Sequence, residues 1–275
     1  PHPDDYAEMK VNPADNADNL PPKYFEILAG MSEAKRIRFE RGEWASEVNG
    51  ALWKSEELDK HRAVEGDRNN VVIYNGARIE MQRIVVANDP SGTKGEGNGD
   101  DVGIVVAGLG MDGRGYIFAD RTCQMSPDGW GRRTVAAYHE FEADRVVGEQ
   151  NFGGEMVRFV IQTADPNVAY KNVHASRGKA VRAEPVAALY EQGRISHVGS
   201  HPDLEDEMLN MTAAGFVGEG SPNRLDAAVW AIHELMLNGL RTDTSGGMPI
   251  SGEEAARMAD REIDHDDPLS YLDLD

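Results

Sequence analysis

The sequence predicts an α/β domain, a mixed sheet flanked by helices. Three observations predict it. Two apolar runs, residues 83–89 and 145–149, each close on an acid, as expected for strands buried on both faces. Between them, residues 102–109 and 115–120 flank the turn Gly110-Met111-Asp112-Gly113, a hairpin with an Asp-Gly signal. Capped helical segments follow, giving the order β-β-β-α-β-α-β and a closing helix.

Taken in order, residues 1–22 are rich in Asp, Asn and Pro and form an extended lead-in. Short helices are predicted at 22–29 and 32–40, ended by Gly30 and Gly42. The stretch from Gly42-Glu43-Trp44 to Ala51-Leu52-Trp53 brings two tryptophans to pack on the body that follows. The core is expected to begin near Met81. Pro90 biases Asp89 toward an extended backbone and ends the first strand. Residues 91–101 carry Gly92, Gly95, Gly97 and Gly99 and form a loop. Ser126 as N-cap and Pro127 as first helical residue open a helix to about Glu142. A helix from 154 to about 163 and a strand near 170–174 come next. Residues 178–192 and 202–213 are predicted to be helical. The last core helix is capped by Ser221, begins at Pro222 and runs to Asn238-Gly239. Leu225, Val229, Ile232 and Met236 form its apolar face. Beyond residue 241 the Gly, Asp and Glu content rises, so an acidic tail with a short helix near 252–262 is expected.

The chain has 275 residues, 40% of them hydrophobic, enough to bury a core. No window approaches the roughly 18 apolar residues of a membrane span. The start, Pro1-His2-Pro3-Asp4-Asp5, has neither the basic nor the apolar part of a signal peptide. Cys123 is the only cysteine, which excludes an internal disulfide and a thiolate metal cluster and suggests a reducing setting. The net charge of −20 argues against tight nucleic-acid binding over the whole surface. The charge is uneven: residues 243–275 hold ten acids and two bases, and residues 1–30 hold six acids and two bases. The middle keeps basic clusters, Lys35, Arg36, Arg38 and Arg41, then Arg177, Lys179 and Arg182. Each is either a solvated helix face or a phosphate contact.

Gly108-Leu109-Gly110-Met111-Asp112-Gly113 matches a dinucleotide fingerprint as a string, but a strand follows it where a helix is needed. No Walker A sequence, Gly-x-Ser-x-Gly elbow or His-Glu-x-x-His site occurs. Three acids do stand out. Asp89 and Glu149 close apolar strands, and Asp226 lies beside core positions of an amphipathic helix. Burying carboxylates together is costly, and a hard divalent cation removes that cost. With 48 acids in the chain, some close strands by chance, so position alone leaves both a metal site and a chance placement open.

Several stretches, in one order, resemble the C-terminal nuclease domain of tailed-phage terminase large subunits. They are Val85-Val86-Ala87-Asn88-Asp89-Pro90-Ser91-Gly92, Asp101-Val102-Gly103-Ile104-Val105-Val106-Ala107-Gly108 and Val147-Gly148-Glu149-Gln150-Asn151-Phe152-Gly153-Gly154. Arg177-Gly178-Lys179 with Arg182-Ala183-Glu184-Pro185, Leu204-Glu205-Asp206-Glu207-Met208 and Ser221-Pro222-Asn223-Arg224-Leu225-Asp226-Ala227-Ala228-Val229-Trp230-Ala231 complete the set. Upstream, the Trp44 and Trp53 segments resemble the family's link between ATPase and nuclease. The resemblance implies an RNase H-like fold and two-metal, Mg²⁺- or Mn²⁺-dependent cleavage of double-stranded, concatemeric DNA during phage packaging. It implies that Asp89 bridges both metals, Glu149 holds one and Asp226 the other. Asp101 would be an accessory ligand or would steer water. Lys179, Arg182 and Arg177 would contact phosphate, unless they are a solvated face. The loop 91–101 would flex over DNA or simply connect two strands.

The implied organisation is a linker arm over 1–78, the nuclease over 79–240 and an acidic tail over 241–275. Pro1 fits a cut just before the linker, and no ATPase is expected in this chain. The implied partners are double-stranded DNA, the portal protein, the small terminase subunit and the ATPase domain of the full-length chain. The implied place is the host cytoplasm at the procapsid portal. Other RNase H-like nucleases, of resolvase or integrase type, and a catalytically weak portal or capsid docking module are the alternatives.

Overall fold

A computed structural model describes residues 16, 19–21, 23, 47–90, 101–149, 154–174 and 178–237. The predicted helices at 22–29, 32–40 and 252–262, the loop 91–100, Arg177 and the acidic tail lie outside the described residues. Among those described, no helix is long and apolar enough to cross a membrane.

After the short helix α1 (Ser55–Lys60), strands β1 (Val64–Glu65), β2 (Val71–Tyr74), β3 (Ala77–Pro90), β4 (Val102–Gly110) and β5 (Gly115–Asp120) run antiparallel to one another. Helix α2 (Pro127–Glu140) leads to β6 (Arg145–Glu149), and α3 (Gly154–Ala164) to β7 (Tyr170–Val173). Helix α4 (Lys179–Glu191) precedes β8 (Ile195–His197). Helix α5 (Pro202–Leu209), the small hairpin β9 (Met211–Thr212) and β10 (Gly215–Phe216), and helix α6 (Asn223–Ile232) complete the order. Strands β6, β7 and β8 join in parallel, β6 against β3, β7 against β6, and β8 against β5. The predicted mixed α/β sheet is therefore the observed one.

Side chains of β3 alternate between two cores. Val85 and Ala87 join Val147 and the helices α4 and α6 on one face. Ile84 and Val86 join Trp130, Val157 and Ile161 of α2 and α3 on the other. The period of two is what an apolar strand covered on both sides requires.

The expected boundaries shift in four places. The sheet begins before Met81, because Asn75-Gly76, both at positive φ, turns β2 tightly into β3. Strand β8 was not expected; three residues are too few to reveal a period. The helix expected over 202–213 stops at Leu209, and the chain turns into a hairpin whose Met211 carbonyl accepts from the Leu52 amide. Helix α6 starts at Asn223, not Pro222, because the Ser221 hydroxyl accepts from Lys179 and is not used as a cap. Its end widens into a π-helical turn, His233–Leu237.

Two buried ionic knots tie distant segments together. Glu234 receives Arg83, Arg145 and Lys171, one from each of the neighbouring strands β3, β6 and β7. Glu205 receives both guanidinium nitrogens of Arg62 at 2.7 and 2.9 Å and His197 Nδ1 at 3.0 Å, while Tyr190 meets the far ring nitrogen of His197. Burial raises the Glu205 carboxyl, but the hydrogen bonds from His197 and Arg62 outweigh it and hold it well below the ordinary 4.5. A depressed carboxyl stabilises the fold above its unfolded pKa, and that contribution is lost as pH falls. Glu205→Gln is therefore expected to cost about 2–3 kcal/mol near neutral pH. Its urea midpoint should converge on that of the parent as pH drops below about 4.5. A gap that stays constant down to acid pH would contradict this.

Candidate metal centre

The parity that builds the core also builds the site. Asp89 continues the Val85–Ala87 face to the end of β3, and Glu149 continues the Val147 face to the end of β6. The two strands are parallel neighbours with Asn88 opposite Gly148, so the acids that follow leave the same sheet edge side by side. On β4, Gly103 stands opposite Asp89. A side chain there would collide with the Asn223 carbonyl, its Cβ only 2.6 Å from the carbonyl carbon. This glycine lets the first turn of α6 lie directly on the sheet, and that turn carries Asp226. The structure thus brings Asp89, Glu149 and Asp226 to one place.

Two cations share it. Arg182 on α4, only 9% exposed, reaches Asp226 Oδ1 at 3.4 Å and Glu149 Oε2 at 3.7 Å. Its guanidinium lies over the Trp230 ring, 4.7 Å from the centroid, and its carbonyl accepts from His233. Lys179, the first residue of α4, puts its ammonium on Asp226 Oδ2 and donates to Ser221. Trp230 Nε1 donates to Glu149 Oε2 at 3.0 Å. Burial, then the Asp226 charge, pushes the Asp89 carboxyl up to about 8, with Glu149 adding to the rise. Burial also raises Asp226, and Lys179 and Arg182 pull it back.

Asp101 is engaged elsewhere. Its carboxylate pairs with Arg224 at 3.0 Å, in a second cluster with Asp120 and Glu207. Burial pushes Glu207 up to about 7 against the pull of its hydrogen bond from the Leu225 amide. Lys179 and Arg182, expected on a phosphate-facing surface, face the carboxylates in this structure. The Ser221–Ala231 stretch of the sequence gives Trp230 no role of its own. Its hydrogen bond to Glu149 had no signal beyond lying four residues after Asp226, on the same helix face.

The donor chemistry fits a hard divalent cation, since all three acids offer oxygen. The side chains do not stand ready around an ion, however. Among the described residues no group of three or more His, Cys, Asp or Glu is close enough to hold one. Lys179 and Arg182 hold carboxylate oxygens of Asp226 and Glu149 in this structure.

The terminase RNaseH-like domain family matches residues 86–235, more than half of the chain. The chain belongs to that family. Membership gives the terminase RNaseH-like domain its fold and supports a nuclease role in packaging. Solved structures of similar fold include the large terminase nuclease of thermophilic phage G20c, 16% identical, with a TM-score of 0.47 over 68% of this chain and 100% of that one. The human cytomegalovirus terminase nuclease domain, Mn-soaked and inhibitor-bound, is 13% identical, with a TM-score of 0.46 over 66% and 94%. A mutant gp2c of the large terminase subunit from bacteriophage Sf6, with calcium, is 14% identical, with a TM-score of 0.49 over 66% and 99%. Comparison with curated proteins gives no match.

Proposed function

We propose that this terminase domain is a metal-dependent endonuclease that cuts double-stranded, concatemeric DNA during phage packaging, with Asp89, Glu149 and Asp226 as its metal ligands. The observation that supports the proposal is the convergence of two buried carboxylates, Asp89 and Asp226, and the partly buried Glu149 at one sheet edge, through strand parity and the close approach at Gly103. Two Mg²⁺ or Mn²⁺ ions held there would supply the charge that activates a water and stabilises the leaving oxygen at a phosphodiester. Asp89, on the strand between β4 and β6, would be the ligand shared by the two ions. Trp230 and Arg182 fix one oxygen of Glu149 and leave the other to coordinate. Asp101, held by Arg224, would act on the site through water rather than as a direct ligand. Lys179, at the start of α4, would also reach phosphate, with Arg182 behind it in the carboxylate cluster; Arg177, expected beside them, lies outside the described residues.

The partners that follow are DNA, the ATPase domain of a longer chain, the small terminase subunit and the portal, in the host cytoplasm. Given the net charge of −20, DNA affinity in isolation should be weak and salt-sensitive. The test is conversion of supercoiled plasmid to nicked and linear forms with Mn²⁺ or Mg²⁺ against EDTA. Cutting should require the metal and fall steeply between about 50 and about 200 mM salt. Cutting that survives EDTA, or that is strong and flat with salt, would contradict the proposal.

A further inference from the structure

The two cations in the site are held in different ways. Arg182 is enclosed: at 9% exposure it is stacked on Trp230 and backed by His233. Lys179 is 44% exposed and reaches in from the first residue of α4 on a flexible stem of four carbons. Its ammonium meets Asp226 Oδ2, a buried oxygen. Only the lysine end of the pair is exposed. Leaving alone, it would strand the buried Asp226 charge, but an arriving divalent ion supplies the compensating charge, so the lysine can leave as the ion binds. The Arg182 guanidinium cannot leave as cheaply, since departure would uncover Trp230 and strip Glu149 and Asp226 of their common partner.

We infer that Lys179 is the exchangeable cation of this site, competing with a divalent ion for Asp226 Oδ2, and that ion binding turns it out toward a DNA phosphate. This rests on the metal-centre assignment above. Arg182 stays in place, so one positive charge remains to limit repulsion among the three acids whether or not an ion is bound. The exchange couples two events: loading of the ion removes Lys179 from its carboxylate and offers the freed ammonium to the polyanionic substrate. Metal-free protein would accordingly have both a closed carboxylate cluster and one fewer phosphate contact.

The test uses the whole chain with Mn²⁺ alone. Calorimetric titration of Lys179→Met, which keeps the stem and removes the charge, should show Mn²⁺ affinity raised by at least about five-fold. Lys179→Gln should do the same, which guards against a fold defect of one variant. In the parent, labelling of Lys179 by an amine-reactive reagent, read by peptide mass spectrometry against the exposed Lys60, should rise as Mn²⁺ saturates. Unchanged or weaker affinity in both variants, or labelling that Mn²⁺ leaves unchanged or lowers, would overturn the exchange while leaving the metal centre standing. Absence of Mn²⁺ binding by parent and variants alike would overturn the metal centre, and the exchange with it.

Discussion

Asp89→Asn is expected to lower metal-dependent cleavage at least about a hundred-fold, ~3 kcal/mol of transition-state stabilisation, while raising the thermal stability of the metal-free domain. The two effects share one cause. Asp89 is 7% exposed and faces Asp226 and Glu149 from the end of β3. Its charge is costly to the fold. The pH dependence separates the parts. A carboxyl raised from 3.8 to about 8 binds more protons in the folded state than in the unfolded one. Its cost to stability therefore grows as pH rises through that window. The melting temperature of Asp89→Asn should exceed that of the parent by a margin that widens from pH ~4 to pH ~8. Circular dichroism melts at both ends of the window, beside plasmid cleavage, check both halves. A variant that is both inactive and less stable would place Asp89 in a structural role.

Gly103→Ala is expected to damage the site from outside it. An added Cβ would meet the Asn223 carbonyl and lie 3.3 Å from Ala227 Cβ, both in the first half of α6. Backbone cannot swivel aside like the end of a side chain. The helix must lift from β4, at a cost of about 3 kcal/mol, the upper part of the range for overpacked cores. Asp226 would move with it, away from Asp89 and Glu149. Mn²⁺ affinity should fall at least about ten-fold even under conditions where the variant is fully folded, a loss of roughly 1.4 kcal/mol. Gly108→Ala is the control, because there the nearest atoms include the flexible Met81 thioether, and α6 is not among them. Equal Mn²⁺ affinity in Gly103→Ala and the parent would show that the seating of α6 does not set the position of Asp226.

Much of this was legible from residue order. Strands β3 and β6 announce themselves because both faces are covered, so Ile84–Ala87 and Val146–Gly148, shortly before the closing acids, are all apolar or small. Asp89 and Glu149 stand out against that background, and Asp226 against the apolar face of α6. The roles of Lys179 and Arg182 were not legible. A basic residue at a helix start has the same composition whether it faces water or a carboxylate, and only the packing of α4 on α6 decides. The Glu234 knot was hidden for a similar reason. Arg83, Arg145 and Lys171 are far apart in sequence, and only the parallel pairing of β6 and β7 beside β3 collects them. The hairpin ahead of the core was missed although Asn75-Gly76 signals it, because β1 and β2 are too short to show alternation.

Strand β3 changes register once, between Met81 and Arg83, where an extra residue bulges from its pairing with β4. A slip of one residue in a strand turns every later side chain to the opposite face. The bulge takes up such a difference locally. The β2 hairpin can therefore gain or lose a residue during evolution, or in a designed graft onto another domain, with the change absorbed at residue 82 and Asp89 kept on its face. Length variation in that hairpin is thereby insulated from the placement of Asp89.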